Sequence, residues 1–577
     1  MNLAPRPSTL LHRLAILLGL SLLVSSAPAA PPEPKAKAGE VLVAGLPPEK
    51  ALALGERMYR EGLLPSGQVM QAVVSGGAAV AGTSFSCMSC HLRSGVGATE
   101  GGVVTLPTNG FKLGLTRYWK FPNLLPEERK GLRVQTSPAR PPYTDATLAR
   151  VLRTGVDPSG RVLNHAMPRY DLNDQDMAIL IHYLWNLSAK PSPGADATSL
   201  RFATVITEEV SAEDEQAMLV PMNNYIARHN AFADGMDTRM YASIGGKEMS
   251  GSFRTLSLAV WRLKGAPETW GRQLEAHLAK EPVFALLGGL TYGEWKPIHA
   301  FCESHKLPCL FPITELPVIS NTDWYTLYFS KGYYQEGQAV ARYLNGLEED
   351  KVMVGGPVLQ VIQDSPEGRA LATGFREAWQ ELGQGPAREV VLKKGEILTS
   401  AALEAMLERE KAATLLLWGA EGAAEALEGL AGRPAQPGRA FLSGRLLGAK
   451  VARLPEKARP FTLFTFPYRE PKDEAKVSRY ANALLKGLTK HHPETRISTR
   501  TYSMLQVFTA ALVEMDRNLY RDNLLDRLGL LRDYLLPDYL RLSFGTGQRY
   551  ASKGCYIMQL GAGPEPPFVK KSDWVIH

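Results

Sequence analysis

Hydrophobic positions fall into two regimes along the chain. Up to about Leu187 they recur at helical spacing. Leu52, Gly55, Met58 and Tyr59 line a stretch from about Pro48 to Gly62. Leu148, Val151 and Leu152 share a face behind Tyr143-Thr144-Asp145, and Gly155 ends that run. Met177, Leu180, Ile181 and Leu184 form a third stripe behind a cap at Asn173, with Tyr183 and Trp185 beside it. This pattern predicts helices.

The regime changes at Lys190-Pro191-Ser192-Pro193-Gly194, a boundary linker by composition. Beyond it, short apolar runs alternate with amphipathic stretches. Phe202–Ile206 precedes a helix opened by Ser211-Ala212-Glu213-Asp214, a capping-box start. Leu256–Trp261 precedes a helix around Trp270–Lys280, and Val283–Leu287 precedes one over Thr291–Glu303. Lys351–Val354 and Val358–Ile362 precede a helix over Glu367–Leu382, and Leu415–Trp418 precedes Ala423–Leu430. Strands alternating with helices predict parallel sheets built from βαβ units.

The first residues stand outside both regimes. Arg6 and Arg13 precede a short apolar run, Leu14–Val24, and Ala27-Pro28-Ala29 offers a cleavage site. Residues 1–29 read as a secretory signal peptide, too short in their apolar run to span a bilayer. Residues 30–45, rich in Pro, Ala and Lys, read as a flexible tether. No later apolar run is long enough to span, so the mature chain is expected to be exported, soluble and not membrane-spanning. Its 577 residues allow two to four domains. The net charge of +7 comes without a Lys/Arg run, which argues against nucleic acid as a partner.

The chemistry concentrates at Cys87-Met88-Ser89-Cys90-His91. A C-x-x-C-H run is the pattern of covalent c-type haem attachment. Thiols one helical turn apart can each add to a porphyrin vinyl group, and the adjacent His91 then lies under the iron. The chain has only five cysteines, so chance placement of two in this motif is improbable. One covalent haem c is therefore expected, which agrees with export, because c-type maturation takes place outside the bacterial cytoplasm. Met167, in Asn164-His165-Ala166-Met167-Pro168, is the candidate second axial ligand, since Pro168 keeps this stretch out of a helix. His165 is the rival ligand, and a core-filling role for Met167 is the alternative. Gly95–Gly102 reads as a loop around the haem edge rather than a phosphate cradle, because no strand precedes it. Cys302 and Cys309 flank a helix-to-strand turn and are candidates for a disulfide. Cys555 reads as a buried small hydrophobe. His491-His492 reads as a solvated loop before Pro493, since adjacent side chains diverge.

Two family resemblances follow from these residues. Residues 46–188 resemble a class I cytochrome c domain, through Gly55 and Tyr59 on the first helix, Cys87/Cys90/His91, Met167-Pro168 and the last helix Asp174–Leu187. The resemblance implies an all-α domain whose first and last helices cross at a small residue such as Gly55. An insertion around Thr105–Pro141 would explain the long spacing from His91 to Met167. Residues 189–198 are a linker. Residues 199–577 resemble the type I periplasmic binding proteins, in particular the branched-chain amino-acid-binding group. The supporting runs are Val283–Gly289, Gln363–Arg369 and Phe544–Arg549.

This second resemblance implies a two-lobed α/β domain closing on a small-molecule ligand. Ligands of open α/β sheets lie beyond the carboxyl ends of the strands. That places Thr291 and Tyr292, Thr314 and Glu315, and Asp364 and Ser365 at the cleft, with Gly419-Ala420-Glu421 a less well matched turn. A carboxylate would meet free N–H groups at the start of the helix after Thr291, while Glu315 would repel a carboxylate and meet an amine. Together these readings describe an exported multidomain protein. Its first function is electron transfer with a redox partner protein, a cytochrome or periplasmic dehydrogenase. The alternative is a solute-binding protein for transport or sensing, in which the haem docks or regulates. No catalytic residues are expected.

Overall fold

The computed structural model describes residues 41–576 except 101–102, 118–138, 236–253, 350–355, 471–495, 532–535, 541 and 546. The expected signal peptide, residues 30–40 of the tether, the run Lys351–Val354, the pair His491-His492 and most of the insertion around Thr105–Pro141 lie outside the described residues. Among the described residues, no helix is long and apolar enough to cross a membrane. The chain divides into two compact units. One is Met1–Cys87 with Gly114–Asn186; the other is Met88–Leu113 with Leu187–His577. The resumption at Leu187 falls beside the boundary expected near residue 188. The assignment of residues 88–113 to the second unit has no counterpart in the sequence reading.

The first unit is built on two helices, α1 (Pro48–Glu61) and α4 (Asp174–Asn186). Pro48 opens α1, and Gly62 closes it in the left-handed conformation, its N–H returning to Met58. Ala51, Gly55, Met58 and Tyr59 are buried on one face. At Gly55 the helices touch backbone to backbone. A Cβ there would lie 2.5 Å from the Tyr183 Cβ and 2.8 Å from the Ile179 carbonyl oxygen. The Tyr59 and Tyr183 rings pack beside this point, tilted by 47° with centroids 5.4 Å apart. Between them lie α2 (Cys87–His91), whose later residues belong to the second unit, and α3 (Asp145–Thr154). A Thr144–Thr147 capping box opens α3, and Gly155 closes it.

The unit is not all helix. Strands β1 (Gln71–Val73), β2 (Ala79–Ala81) and β3 (Arg169–Tyr170) form an antiparallel sheet in the order β2-β1-β3. The all-α expectation missed it because two- and three-residue strands are too short for a period to show. The turn between β1 and β2 is made by Gly76 and Gly77, both at positive φ.

The second unit holds two mainly parallel sheets, besides a small antiparallel ladder between Thr99–Glu100 and Val103–Val104. The first lobe runs β4 (Ser199–Thr207), α5 (Ala212–Gly235), β5 (Thr255–Leu263), α6 (Trp270–Lys280), β6 (Ala285–Leu287), α7 (Lys296–Ser304), β7 (Cys309–Leu310) and β8 (Thr326–Leu327). Its sheet order is β8-β7-β6-β4-β5. The second lobe runs α8 (Tyr333–Glu349), β9 (Val358–Gln363), α9 (Pro366–Glu381), β10 (Arg388–Leu392), α10 (Ser400–Glu410), β11 (Thr414–Trp418), α11 (Ala423–Leu430), β12 (Arg439–Leu442) and β13 (Thr462–Phe466). Its sheet begins in the order β10-β9-β11-β12-β13, all parallel. The chain then returns to the first lobe with α12 (Ile497–Met515) and α13 (Arg521–Gly529). It re-enters the second with β14 (Gly554–Leu560), antiparallel to β13.

Three crossovers therefore join the lobes, and two run side by side. The Tyr328 N–H donates to the Arg549 carbonyl at 2.8 Å, and the Ala551 N–H to that of Tyr328 at 3.1 Å. Both sheets are packed on both faces, which is why their strands read as continuous apolar runs. One expected boundary moves. The helix placed over Thr291–Glu303 begins at Lys296, where Pro297 fixes the first turn, so residues 291–295 are a loop.

The contact at Gly55 is testable. Gly55→Val drives methyl groups into the Ile179 backbone, and overpacking of this kind typically costs about 1–3 kcal/mol. Gly346, in α8, has open space around it. Gly346→Ala should be neutral or stabilise by roughly 0.5–1 kcal/mol. Thermal unfolding of both variants checks the contrast.

Candidate functional site

Two sites emerge, one around His91 and one between the lobes. Cys87 is buried and Cys90 exposed, and neither forms a disulfide. The Tyr170 hydroxyl, 3.8 Å from the Cys87 sulfur, donates to the Phe85 carbonyl at 3.2 Å. Leu92, at positive φ, ends α2.

The glycine-rich stretch then folds back on His91. The Gly97 N–H donates to the His91 carbonyl at 3.1 Å, and the Thr105 N–H to that of Ala98 at 2.8 Å. Gly97 has positive φ, and a Cβ there would meet the Thr105 carbonyl oxygen at 2.2 Å, so only glycine closes this loop. The result is a hydrogen bond between His91 Nδ1 and the Leu106 carbonyl at 2.7 Å. A carbonyl only accepts, so Nδ1 carries the hydrogen and Nε2 keeps its lone pair. That is the tautomer of a metal-ligating histidine. Burial lowers the imidazole pKa, against the upward pull of the Leu106 carbonyl. A neutral imidazole whose Nε2 keeps its lone pair, next to two cysteines outside any disulfide in C-x-x-C spacing, is the donor set that a covalent haem would use.

The residues after His91 are fixed to the first lobe. Asp526, buried on α13, accepts from the backbone N–H groups of Arg93 at 3.2 Å and Ser94 at 2.9 Å. Burial pushes its carboxyl up to about 6 in spite of these bonds. The Arg93 guanidinium pairs with Asp522 at 3.3 Å and lies 4.5 Å over the Trp324 ring. Arg549, in a crossover, stacks at 4.2 Å on the ring of the same Trp324 and donates to its carbonyl at 2.7 Å. Arg527 donates to the Gly97 carbonyl at 3.0 Å.

Met167 sits half-buried in a constrained loop of the first unit. Arg169 donates to the carbonyls of Met167 at 2.6 Å and Leu163 at 2.9 Å, closing the loop on itself. His165 is exposed, and Met177 is buried in the face of α4.

The predicted cleft residues separate into engaged and structural ones. Thr291 is buried and donates to Glu209 at 2.9 Å; Thr207 donates to the same oxygen at 2.5 Å. Tyr292 donates to Asp214 at 2.6 Å and accepts from the Ser211 N–H at 3.0 Å. The expected seat for a carboxylate at this turn is thus faced by Glu209, and no helix begins there. Asp364 pairs with Arg369. Ser365 caps α9, accepting from the Gly368 N–H at 3.1 Å. Neither bonds to the other predicted residues among those described.

Thr314 and Glu315 belong to a different arrangement. The buried Thr314 hydroxyl accepts from the Leu316 N–H at 3.0 Å. Glu315 lies between two guanidiniums, Arg500 at 2.5 Å and Arg445, so it does not await an amine. Arg500 is on α12 of the first lobe. Arg445 follows β12 of the second. The pair Glu315–Arg445 therefore bridges the lobes. Behind Arg445 lies Glu336, fully buried and 3.4 Å away; it accepts from Ser443 at 2.8 Å and from Thr465. Burial pushes Glu336 up to about 7, against the hydrogen bonds from Thr465, Ser443 and the Arg445 backbone. Tyr468 covers the cluster, its ring 5.2 Å from the Arg445 guanidinium and 4.0 Å from that of Arg496.

The sequence reading missed Arg445, Arg500 and Glu336. Arg445 had a signal: Ser443-Gly444-Arg445 follows the apolar run Ala440–Leu442, where the rule for open sheets places ligands. Arg500 and Glu336 sit inside helices and carry no such marker.

The raised pKa of Glu336 fixes a pH dependence. A carboxyl whose folded value lies above its unfolded value stabilises the fold in its protonated form. That contribution is complete below about 4.5 and is lost as pH rises through about 7. Glu336→Gln should therefore match the wild type near pH 5 and exceed it near pH 8, by about 3 kcal/mol at most. Thermal unfolding midpoints of both proteins across that range check the sign.

The Periplasmic binding protein family model matches residues 263–564, just over half of the chain. No curated protein matches. The solved structures it resembles include an ABC transporter substrate-binding protein from Sphaerobacter thermophilus, 14% identical, covering 66% of this chain and 98% of that one, with a TM-score of 0.47. A periplasmic binding protein type 1 from Bordetella pertussis Tohama I is 13% identical, covering 65% and 100%, with a TM-score of 0.45. A branched chain amino acid ABC transporter from Thermus thermophilus with bound valine is 13% identical, covering 66% and 97%, with a TM-score of 0.44. With two parallel-sheet lobes, three crossovers and a family model spanning both, the chain belongs to the periplasmic binding protein family.

Proposed function

We propose that the protein is an exported solute-binding protein that carries one covalent haem c, attached through Cys87 and Cys90 and ligated by His91. The observation that supports this best is the bond from His91 Nδ1 to Leu106, inside a segment packed on the first lobe. Haem at this position supplies one-electron exchange. The chain's own residues do the rest. Leu106 holds the ring of His91 through Nδ1, and the Gly95–Gly97 turn returns to the His91 carbonyl. Asp526 and Asp522 fix the segment that follows to the lobe. The two lobes hold a small solute, by hinge closure of the kind periplasmic binding proteins use.

A second reading is an electron carrier that serves a periplasmic redox partner. It is favoured by the Met167 loop, which Arg169 holds in one shape. Met/His ligation belongs to electron-carrying cytochromes and raises the potential.

Expression in a host that matures c-type cytochromes tests the proposal. Intact mass and the pyridine haemochrome spectrum should give one haem per chain, and Cys87→Ala with Cys90→Ala should abolish it. Haem that survives acid–acetone extraction in that double variant contradicts the assignment. Met167→Ala should lower the potential and remove the weak thioether-to-iron band of the oxidised spectrum. An unchanged band shifts the ligand to another residue.

A further inference from the structure

The cluster around Glu315 is built like an anion seat that the protein fills itself. Both guanidiniums are fixed: the Arg445 side chain is 4% exposed and that of Arg500 is 5% exposed. Arg500 also donates to the Thr314 carbonyl at 3.4 Å, and Arg445 is held from behind by Glu336 and Tyr468. The Arg500 Nε, buried, makes no hydrogen bond among the described residues.

Glu315 is the movable member, with its side chain 25% exposed. Its backbone is anchored, because its carbonyl accepts from the Tyr333 N–H at 3.1 Å. That carbonyl also packs against Gly332, where a Cβ would approach to 2.1 Å. Only the side chain is left to swing. One carboxylate shared between two guanidiniums leaves donors to spare, and bidentate pairing is the preferred mode of guanidinium with carboxylate.

Resting on the solute-binding reading, we propose that the cleft takes a carboxylate-bearing solute, whose acid group replaces Glu315 between Arg445 and Arg500. Arg445 follows β12 of the second lobe and Arg500 lies on α12 of the first, so an acid group seated there joins the lobes as Glu315 now does. The other turns offer it nothing comparable: Thr291 and Tyr292 are faced by Glu209 and Asp214. An amine would meet two guanidiniums and is disfavoured. Glu315 then acts as an internal competitor, and the affinity for acids is set by how readily it leaves.

Acetate is the probe, with acetamide as its neutral counterpart, on the full chain. In Glu315→Ala and Glu315→Gln the seat is vacated. Acetate should raise the unfolding midpoint of both variants in a saturable way, as a ligand of the folded state does. It should bind at least tenfold more tightly than to the wild type, and acetamide should have no effect. Adding Arg445→Gln should remove the response. Equal acetate effects in all proteins, or none in either Glu315 variant, would overturn the proposal. Small-angle scattering on the same samples separates this inference from the reading it rests on. Glu315→Ala should expand and acetate should restore its compact dimensions. If acetamide compacts and stabilises the variants and acetate does not, the cleft binds solutes and the carboxylate assignment falls. If acetate binds with no change in dimensions, the anion seat stands and hinge closure on a solute falls.

Discussion

The organisation of the second unit depends on one carboxylate. Asp526 is buried on α13 and accepts the N–H groups of two consecutive residues, Arg93 and Ser94, that lie more than four hundred positions earlier in the chain. A buried carboxylate is costly unless its oxygens are hydrogen-bonded. Here the bonds come from backbone two and three residues beyond His91. The stability of α13 and the position of the segment that follows His91 are therefore linked. Arg93 extends the link across Trp324 to Arg549, which lies in a crossover between the lobes. The segment that holds His91 is in this way a part of the solute-binding lobe, with contacts that reach its hinge.

The second organising element is the ion cluster of Glu315, Arg445, Arg500 and Glu336. Buried ion pairs add little net stability, since desolvation offsets much of the Coulomb attraction. Their value lies in geometry. Glu315 joins the first lobe to the second at one point, and the guanidiniums on either side are held by residues that do not cross the cleft. A cross-cleft pair of this kind favours the closed arrangement and gives a competing acid a place to act.

Much of this was legible in the sequence and some was not. The parallel sheets and their helices followed from periodicity, because strands covered on both faces must be apolar throughout. The crossing at Gly55 was expected only from the resemblance to class I cytochromes c, which implies a small residue where the first and last helices meet. The C-x-x-C-H run drew notice because covalent haem attachment would need that spacing. What escaped was everything made by residues far apart in the chain. The Leu106 carbonyl on His91 carries no side-chain signal. Asp526 and Asp522 look like ordinary solvent-facing acids of a helix. Arg500 and Glu336 meet Glu315 and Arg445 only once the crossovers bring the lobes together. The expectation that Glu315 would face an amine failed for the same reason. The turn at Thr291 looked open to a carboxylate because Glu209, eighty-two positions away in chain order, could not be placed opposite it.

Amide hydrogen exchange at Arg93 and Ser94 tests most directly whether the segment that carries His91 is built into the first lobe. If Asp526 holds these two N–H groups, they exchange as slowly as the amides of α13, and Asp526→Ala releases both together. Exchange at the rate of an exposed loop in the intact protein would contradict the account.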